Sequence, residues 1–175
     1  MKNGFTLVEL LIVVGLVLII GTVGTSIITS VLRSYNKAQI TNEIEQNGNY
    51  VLSLMENQIR NARSVSASDC DASSGHCSTL EVTPQEGLVF TFSLADDGSV
   101  GEVRKGAEVL TNDDPTNGVD VDTNRGESYF LVEGSAPQKV TIVLRLTQPP
   151  ATPDRIDYQA AATLRTTVVV RGGYE

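Results

Sequence analysis

One long N-terminal helix laid on a mainly antiparallel β-sheet head is the α+β fold that this sequence predicts, and three observations predict it. The run "FTLVELLIVVGLVLIIGTVGTSII", residues 5–28, is apolar apart from Glu9. Val51, Leu52, Met55, Ile59 and Ala62 then recur on one helical face with polar residues between them. Beyond Val65 the apolar spacing drops to two, and no helical stretch separates the alternating segments, which points to antiparallel pairing.

The first element is set by its solvent. Residues 5–28 in helical form are long enough to cross a hydrocarbon core of about 30 Å. A secretory signal has a basic start, a shorter apolar stretch and a small-residue cleavage site. Here the basic part is only "MKNG", with no such site at a normal distance, so the helix is expected to be retained. Lys2 favours a cytoplasmic N-terminus, while Arg33 and Lys37 on the far side oppose it. Glu9 is the awkward residue, because an ionised carboxylate at mid-bilayer costs about 2.5–3.5 kcal/mol on insertion scales. Gly15, Gly21 and Gly24 allow either close helix–helix approach or local melting, with close approach the first reading.

The second half of the helix is amphipathic, reaching about Ala62, with "NGN" at 47–49 as an expected interruption or strained point. Glu56 and Arg60 are spaced to pair across one turn. The resulting division is a leader at 1–4, a membrane helix at 5–28, a stalk at 29–65 and a β-rich head at 66–175. In the head, "SASDCDASSGHCS" reads as a loop. "LVFTFSL", "KVTIVLRL" and "TLRTTVVV" alternate as strands, and shorter strands are expected at "TLEVT", "VGEVRK", "AEVL", "VDVD" and "SYFLVE".

The charge is −8, and every acid except Glu9 lies beyond position 42, which argues against a nucleic-acid partner, since phosphate binding needs a basic patch. About 145 residues remain outside the apolar run, enough for one core. Cys70 and Cys77 bracket "DASSGH". Beyond an apolar N-terminal span, a disulfide is the first reading, free thiols the second, and a metal site with His76 the last, since a fourth ligand is missing.

"GFTLVELLIVV" behind a short basic leader resembles the class III signal of type IV pilins and type II secretion pseudopilins. The resemblance implies cleavage between Gly4 and Phe5 by a prepilin peptidase and methylation of the new Phe5 amine. It places Glu9 where the family has its glutamate, four residues into the mature chain. The awkward carboxylate then has a role: the Phe5 amine of an incoming subunit is a cation, and a neighbour's Glu9 can pair with it. A paired buried charge is tolerated where an unpaired one is very costly. "NYVLSLMENQIRNARSV", "VLT" at 109–111, "KVTIVLRL" and the closing "VVVRG" extend the likeness toward J-type minor pseudopilins and W-type minor pilins. A pilin-like fold follows from the resemblance.

Some members of that family bind calcium in their heads. Asp120, Asp122 and Asn124 alternate like an EF-hand loop, with Asp113 and Asp114 as further candidates. Arg125 stands where that loop needs glycine, and the closing Glu is missing, so a solvated loop with Asx turns is the first reading and a metal site the second. A catalytic triad would have to use His76, the single histidine, in a short exposed loop, and no phosphate-binding or metalloprotease motif occurs. The chain is therefore expected to be a non-enzymatic filament subunit without a cofactor. Its expected partners are the peptidase, sibling subunits and an inner-membrane assembly platform. Its expected place is the cytoplasmic membrane, with the head outside the cytoplasm, and then a pilus or pseudopilus. The alternatives are a major pilin or adhesin, and an uncleaved single-span protein with a ligand-binding head.

Overall fold

A computed structural model of the 175-residue chain describes residues 6–96, 98–115, 118–135, 137–149 and 159–172. Helix α1 runs from Leu7 to Arg60, 54 residues and so about 80 Å at ~1.5 Å per residue. Thr6 opens it in an extended conformation, and its side-chain oxygen accepts from the Glu9 backbone N–H at 3.3 Å. From Leu7 to Leu32 the large apolar side chains are exposed, and burial begins with Ile40 and Ile44. The described helix is long and apolar enough to cross a membrane.

The helix passes through 47–49 without a break, which corrects the expected interruption. Gly48 is buried there because the sheet comes close, and a Cβ at that position would fall under 3.0 Å from the Cδ1 methyls of both Leu146 and Leu164. The glycine is a point of approach rather than a helix breaker. Asn47 takes part as well, its side chain accepting from the Asn112 backbone N–H at 3.3 Å.

Helix α1 closes at Arg60, and the Arg171 backbone N–H donates to the Arg60 carbonyl at 3.2 Å, which satisfies one of the terminal acceptors. The stalk expected over 29–65 is thus shorter, since strand β1 already spans Ala62–Cys70. That strand also replaces the loop expected from Ser66 onward. Its polar residues carry little period-two signal, and it is held by pairing, with Ser66 opposite Glu81 and Ala67 opposite Leu80 in β2 (Cys77–Pro84).

The other strands fall where alternation placed them: β3 Phe90–Asp96, β4 Gly101–Lys105, β5 Glu108–Val109, β6 Asp120–Val121, β7 Tyr129–Glu133, β8 Lys139–Thr147 and β9 Ala161–Val169. Neighbours run β5-β4-β3-β2-β7-β8-β6, with β1 on β2 and β9 on β8, and every ladder is antiparallel. The sheet curls. The Gly101 N–H donates to Asp120 Oδ1 at 2.7 Å, joining β4 to β6 although they stand far apart in the ladder order. Val51, Leu52, Met55 and Ile59 pack from the helix onto Leu80, Phe92, Ile142, Leu144, Leu146 and Val168 of the sheet. Thr166 of β9 donates to Glu56, so that carboxylate turns to the sheet rather than along the helix to Arg60.

Candidate functional site

Two regions carry the chemistry singled out in the sequence: the start of α1 and a disulfide-clasped corner of the head. At the first, Glu9 is exposed in the opening turn, three residues after the Thr6 cap. Thr-x-x-Glu at a helix start is the spacing of a capping box, and acids are favoured there because the first backbone N–H groups lack acceptors. Sequence reasoning had fixed on Glu9 and missed the cap, although Thr6 three places ahead of it was legible. Gly4 and Phe5, the expected cleavage and methylation positions, lie outside the described residues.

Further along, Val17, Leu18, Gly21, Thr22, Thr25, Ser26 and Thr29 line a shallow groove on the helix surface. Its hydroxyls are satisfied within the helix: Thr22 donates to the Ile19 carbonyl, Thr25 to Gly21, and Ser26 to Val23, all at 2.8–2.9 Å. Polar side chains paired this way can lie in hydrocarbon without an unmet donor. A Cβ at Gly15, Gly21 or Gly24 would meet nothing within 4 Å, so that helix surface is open to an approaching backbone.

In the head, Cys70 and Cys77 are bonded, and they face each other directly across the β1–β2 ladder. The thiolates that a metal site would need are therefore consumed. The six residues between the cysteines form a tight turn, with Asp71 accepting from the Ser73 N–H and hydroxyl at 2.8 Å each. Asp69, just before the bridge, adopts φ 55°, a left-handed conformation that Asp tolerates better than most residues. Its carboxylate accepts from the Ser78 hydroxyl and lies 2.6 Å from Arg125 Nη2. Those partners, Ser78 first and then Arg125, hold the Asp69 carboxyl below its ordinary 3.8, and the Ser73 N–H and hydroxyl do the same for Asp71.

The turn is clamped to β7 from above. The His76 ring stacks on Tyr129 with centroids 3.5 Å apart and planes 3° from parallel, and Nδ1 lies 2.7 Å from the Arg125 carbonyl. A carbonyl only accepts, so Nδ1 carries the proton there. Stacked on an aromatic and tied to a backbone oxygen, His76 is a fastener.

The calcium candidates are not gathered. Asp113 and Asp114 belong to the loop beside Asn47 of the helix. Asp120 uses one oxygen for the Gly101 N–H and the other for Thr147, at 2.7 and 3.3 Å. Asp122 accepts from the Asn124 N–H at 3.0 Å and faces Arg145 Nε at 3.8 Å, while Arg145 Nη1 pairs with Glu127 at 2.9 Å. The Arg145 guanidinium thus lies between Asp122 and Glu127 and is the cation that these two acids meet. Among the described residues, no group of three or more His, Cys, Asp or Glu side chains could hold a metal ion.

Compared with known proteins, the chain matches no family model, no curated protein and no solved structure.

Proposed function

We propose that this chain is a structural subunit of a type IV pilus or a type II secretion-like filament. It is processed between Gly4 and Phe5 and assembled through α1. The observation that carries the reading is the division of a single continuous helix. Its C-terminal part is buried in the head, while its N-terminal part exposes an apolar surface whose only charge sits in the first turn. In the membrane that surface is covered by lipid; in a filament it is covered by the helices of sibling subunits. The unmet N–H groups of the first turn favour an acid at this position in an isolated helix, and among the described residues no hydrogen bond or ion pair takes up the Glu9 carboxylate, which can meet a neighbour's amine when helices bundle.

The role is mechanical, without catalysis, cofactor or nucleic acid. The peptidase, the sibling subunits and a membrane assembly platform are the partners. The likeness of the head to J-type and W-type minor subunits adds a place near the filament tip, where a few copies start assembly.

The test is the mature N-terminus together with the Glu9→Ala variant. Mass spectrometry of the native protein should find a methylated Phe5, and Glu9→Ala should be cut normally yet be depleted from sheared filaments. An intact Met1 on the mature protein refutes the reading, whereas wild-type content of the variant in filaments refutes only the pairing of Glu9 with a neighbour's amine.

A further inference from the structure

The strands of the head run between two ends, one level with Arg60 at the close of α1 and the other nearer the apolar half of the helix. The β2–β3 hairpin emerges at the Arg60 end, because Pro84 is paired with Ala62 and Val82 with Phe90. The β7–β8 turn arrives there too, with the Gln138 side chain bonding both the N–H and the carbonyl of Val65. So does the β4–β5 turn, where the Lys105 ammonium sits 4.6 Å above the Phe90 ring. The end of β9 completes the set, since the Val170 N–H donates to the Gln138 carbonyl and the Arg171 N–H to that of Arg60.

Charge and apolar surface are both sorted between these ends. Arg60, Arg63, Lys139 and Arg171 are exposed at the Arg60 end and Lys105 is half-exposed there, against the acids Glu86, Glu108 and Glu133. Asp71, Asp96, Asp113, Asp122 and Glu127 lie at the other end, where Arg125 and Arg145 are held by carboxylates. Beyond the helix, the exposed large hydrophobic side chains among the described residues are Leu88 at 89%, Val89 at 53% and Val169 at 45%. All three belong to the Arg60 end: Leu88 and Val89 form the β2–β3 hairpin tip, and Val169 is paired with Lys139.

We propose that the Arg60 end of the head docks on an anionic lipid surface other than the bilayer that α1 spans, with Leu88 and Val89 entering the interface and the surrounding cations meeting headgroup phosphates. A protruding apolar tip ringed by Lys and Arg suits the boundary between headgroups and acyl chains, where each kind of side chain finds its own solvent. A bilayer is flat, so it asks only that these side chains share one level, which the strand turns provide. Nucleic acid would use the cations but leave Leu88 and Val89 in water, so the apolar tip favours lipid. The acidic opposite end is repelled by the same surface and so orients the head. From Ile28 to Arg60 the helix rises about 48 Å at ~1.5 Å per residue, which holds this end away from the membrane crossed by the apolar half. The inference rests on the filament reading for the means of carrying this end to a second surface.

The experiment holds the full chain through α1 in nanodiscs of phosphatidylcholine and mixes them with separate vesicles, either of phosphatidylcholine alone or with phosphatidylglycerol added. The loaded nanodiscs should float with the anionic vesicles at low salt and at least about tenfold less with the neutral ones. Arg63→Ala with Arg171→Ala should weaken that flotation at least about tenfold, and Leu88→Ser at least about threefold. The changed side chains are exposed, and unchanged circular dichroism checks that the head stays folded. Equal flotation with neutral vesicles, or wild-type flotation by either variant, overturns the proposal. Capture of duplex DNA by the wild type and Leu88→Ser alike, without flotation, marks a polyanion site and overturns it as well. None of these outcomes touches the filament reading, which fails separately if the native protein keeps Met1.

Discussion

Replacing Gly48 with alanine sets two known effects against each other in one methyl group. In an open helix the change adds about 1 kcal/mol of helix propensity. Here the new methyl would press on Leu146 and Leu164 together. Forcing an extra methyl into a full core costs about 1–3 kcal/mol, and two neighbours struck at once put this case in the upper half of that range. Each can give only by rotating a side-chain end, and Leu146 is fully buried. The net loss is about 1–2 kcal/mol, a fall in Tm of about 2–8 °C for a chain of this size. Thermal unfolding of the full chain in detergent, followed by circular dichroism, reads it. Trimming Leu164 to alanine in the same chain should recover part of the loss, because the two changes share one space. A rise in Tm for Gly48→Ala alone, or strict additivity in the pair, refutes the close-approach account.

Gly24→Ala in the apolar half should leave the isolated subunit's Tm unchanged or slightly raised, since nothing lies within 4 Å, yet lower filament yield if helices meet there; unchanged yield removes that glycine from the packing face. Replacing Cys70 and Cys77 by serine should cost about 2–3 kcal/mol in the chain-entropy account of a loop this short, and an unchanged urea midpoint would show the turn to be held by the His76–Tyr129 stack instead. Asp69 and Asp71 carry folded-state values below the ordinary 3.8, so they add stability above that pH and lose it as pH falls toward the lowered values. Asp69→Asn should therefore lower the Tm slightly at neutral pH and flatten the acid limb below about pH 4, the variant and wild-type curves converging as Asp69 protonates; a Tm–pH profile identical to wild type would show that the Ser78 and Arg125 contacts do not stabilise the ionised form.

Where side-chain period dominates, the sequence was readable. The stripe Val51, Leu52, Met55, Ile59 and Ala62 is buried as expected, and in β9 the even-numbered residues turn inward and the odd-numbered ones outward. Two kinds of information were out of reach. Strand β1 is built largely of Ser, Ala and Asp and owes its conformation to pairing with its neighbour β2 rather than to its own propensity, so it read as loop. "NGN" read as a breaker because glycine lowers helix propensity, while what it answers to is the surface of β8 and β9, over ninety residues away in sequence. The corner around the disulfide was half legible: two cysteines can be counted, but the meeting of Asp69 with Arg125 and of His76 with Tyr129 depends on how β1–β2 folds over β7.

On the proposed filament reading, the stretch of α1 between its exposed apolar band and the head bears on how a subunit would transmit force. From Arg33 to Gln39 most residues are exposed, and apolar burial against the head begins only with Ile40 and Ile44. These residues lie beyond the apolar band and below the sheet, so neither lipid nor the head supports them, and their helix rests on its own hydrogen bonds and on pairs such as Gln39 to Tyr35 at 2.9 Å. Isolated helix of this length is marginal in water. It persists because both ends are nucleated, one by the apolar span and the other by packing on β8 and β9. A subunit drawn out of a membrane would therefore carry its head on a linker whose order depends on both ends staying folded. Crowding that linker with neighbouring helices would stiffen it only after assembly.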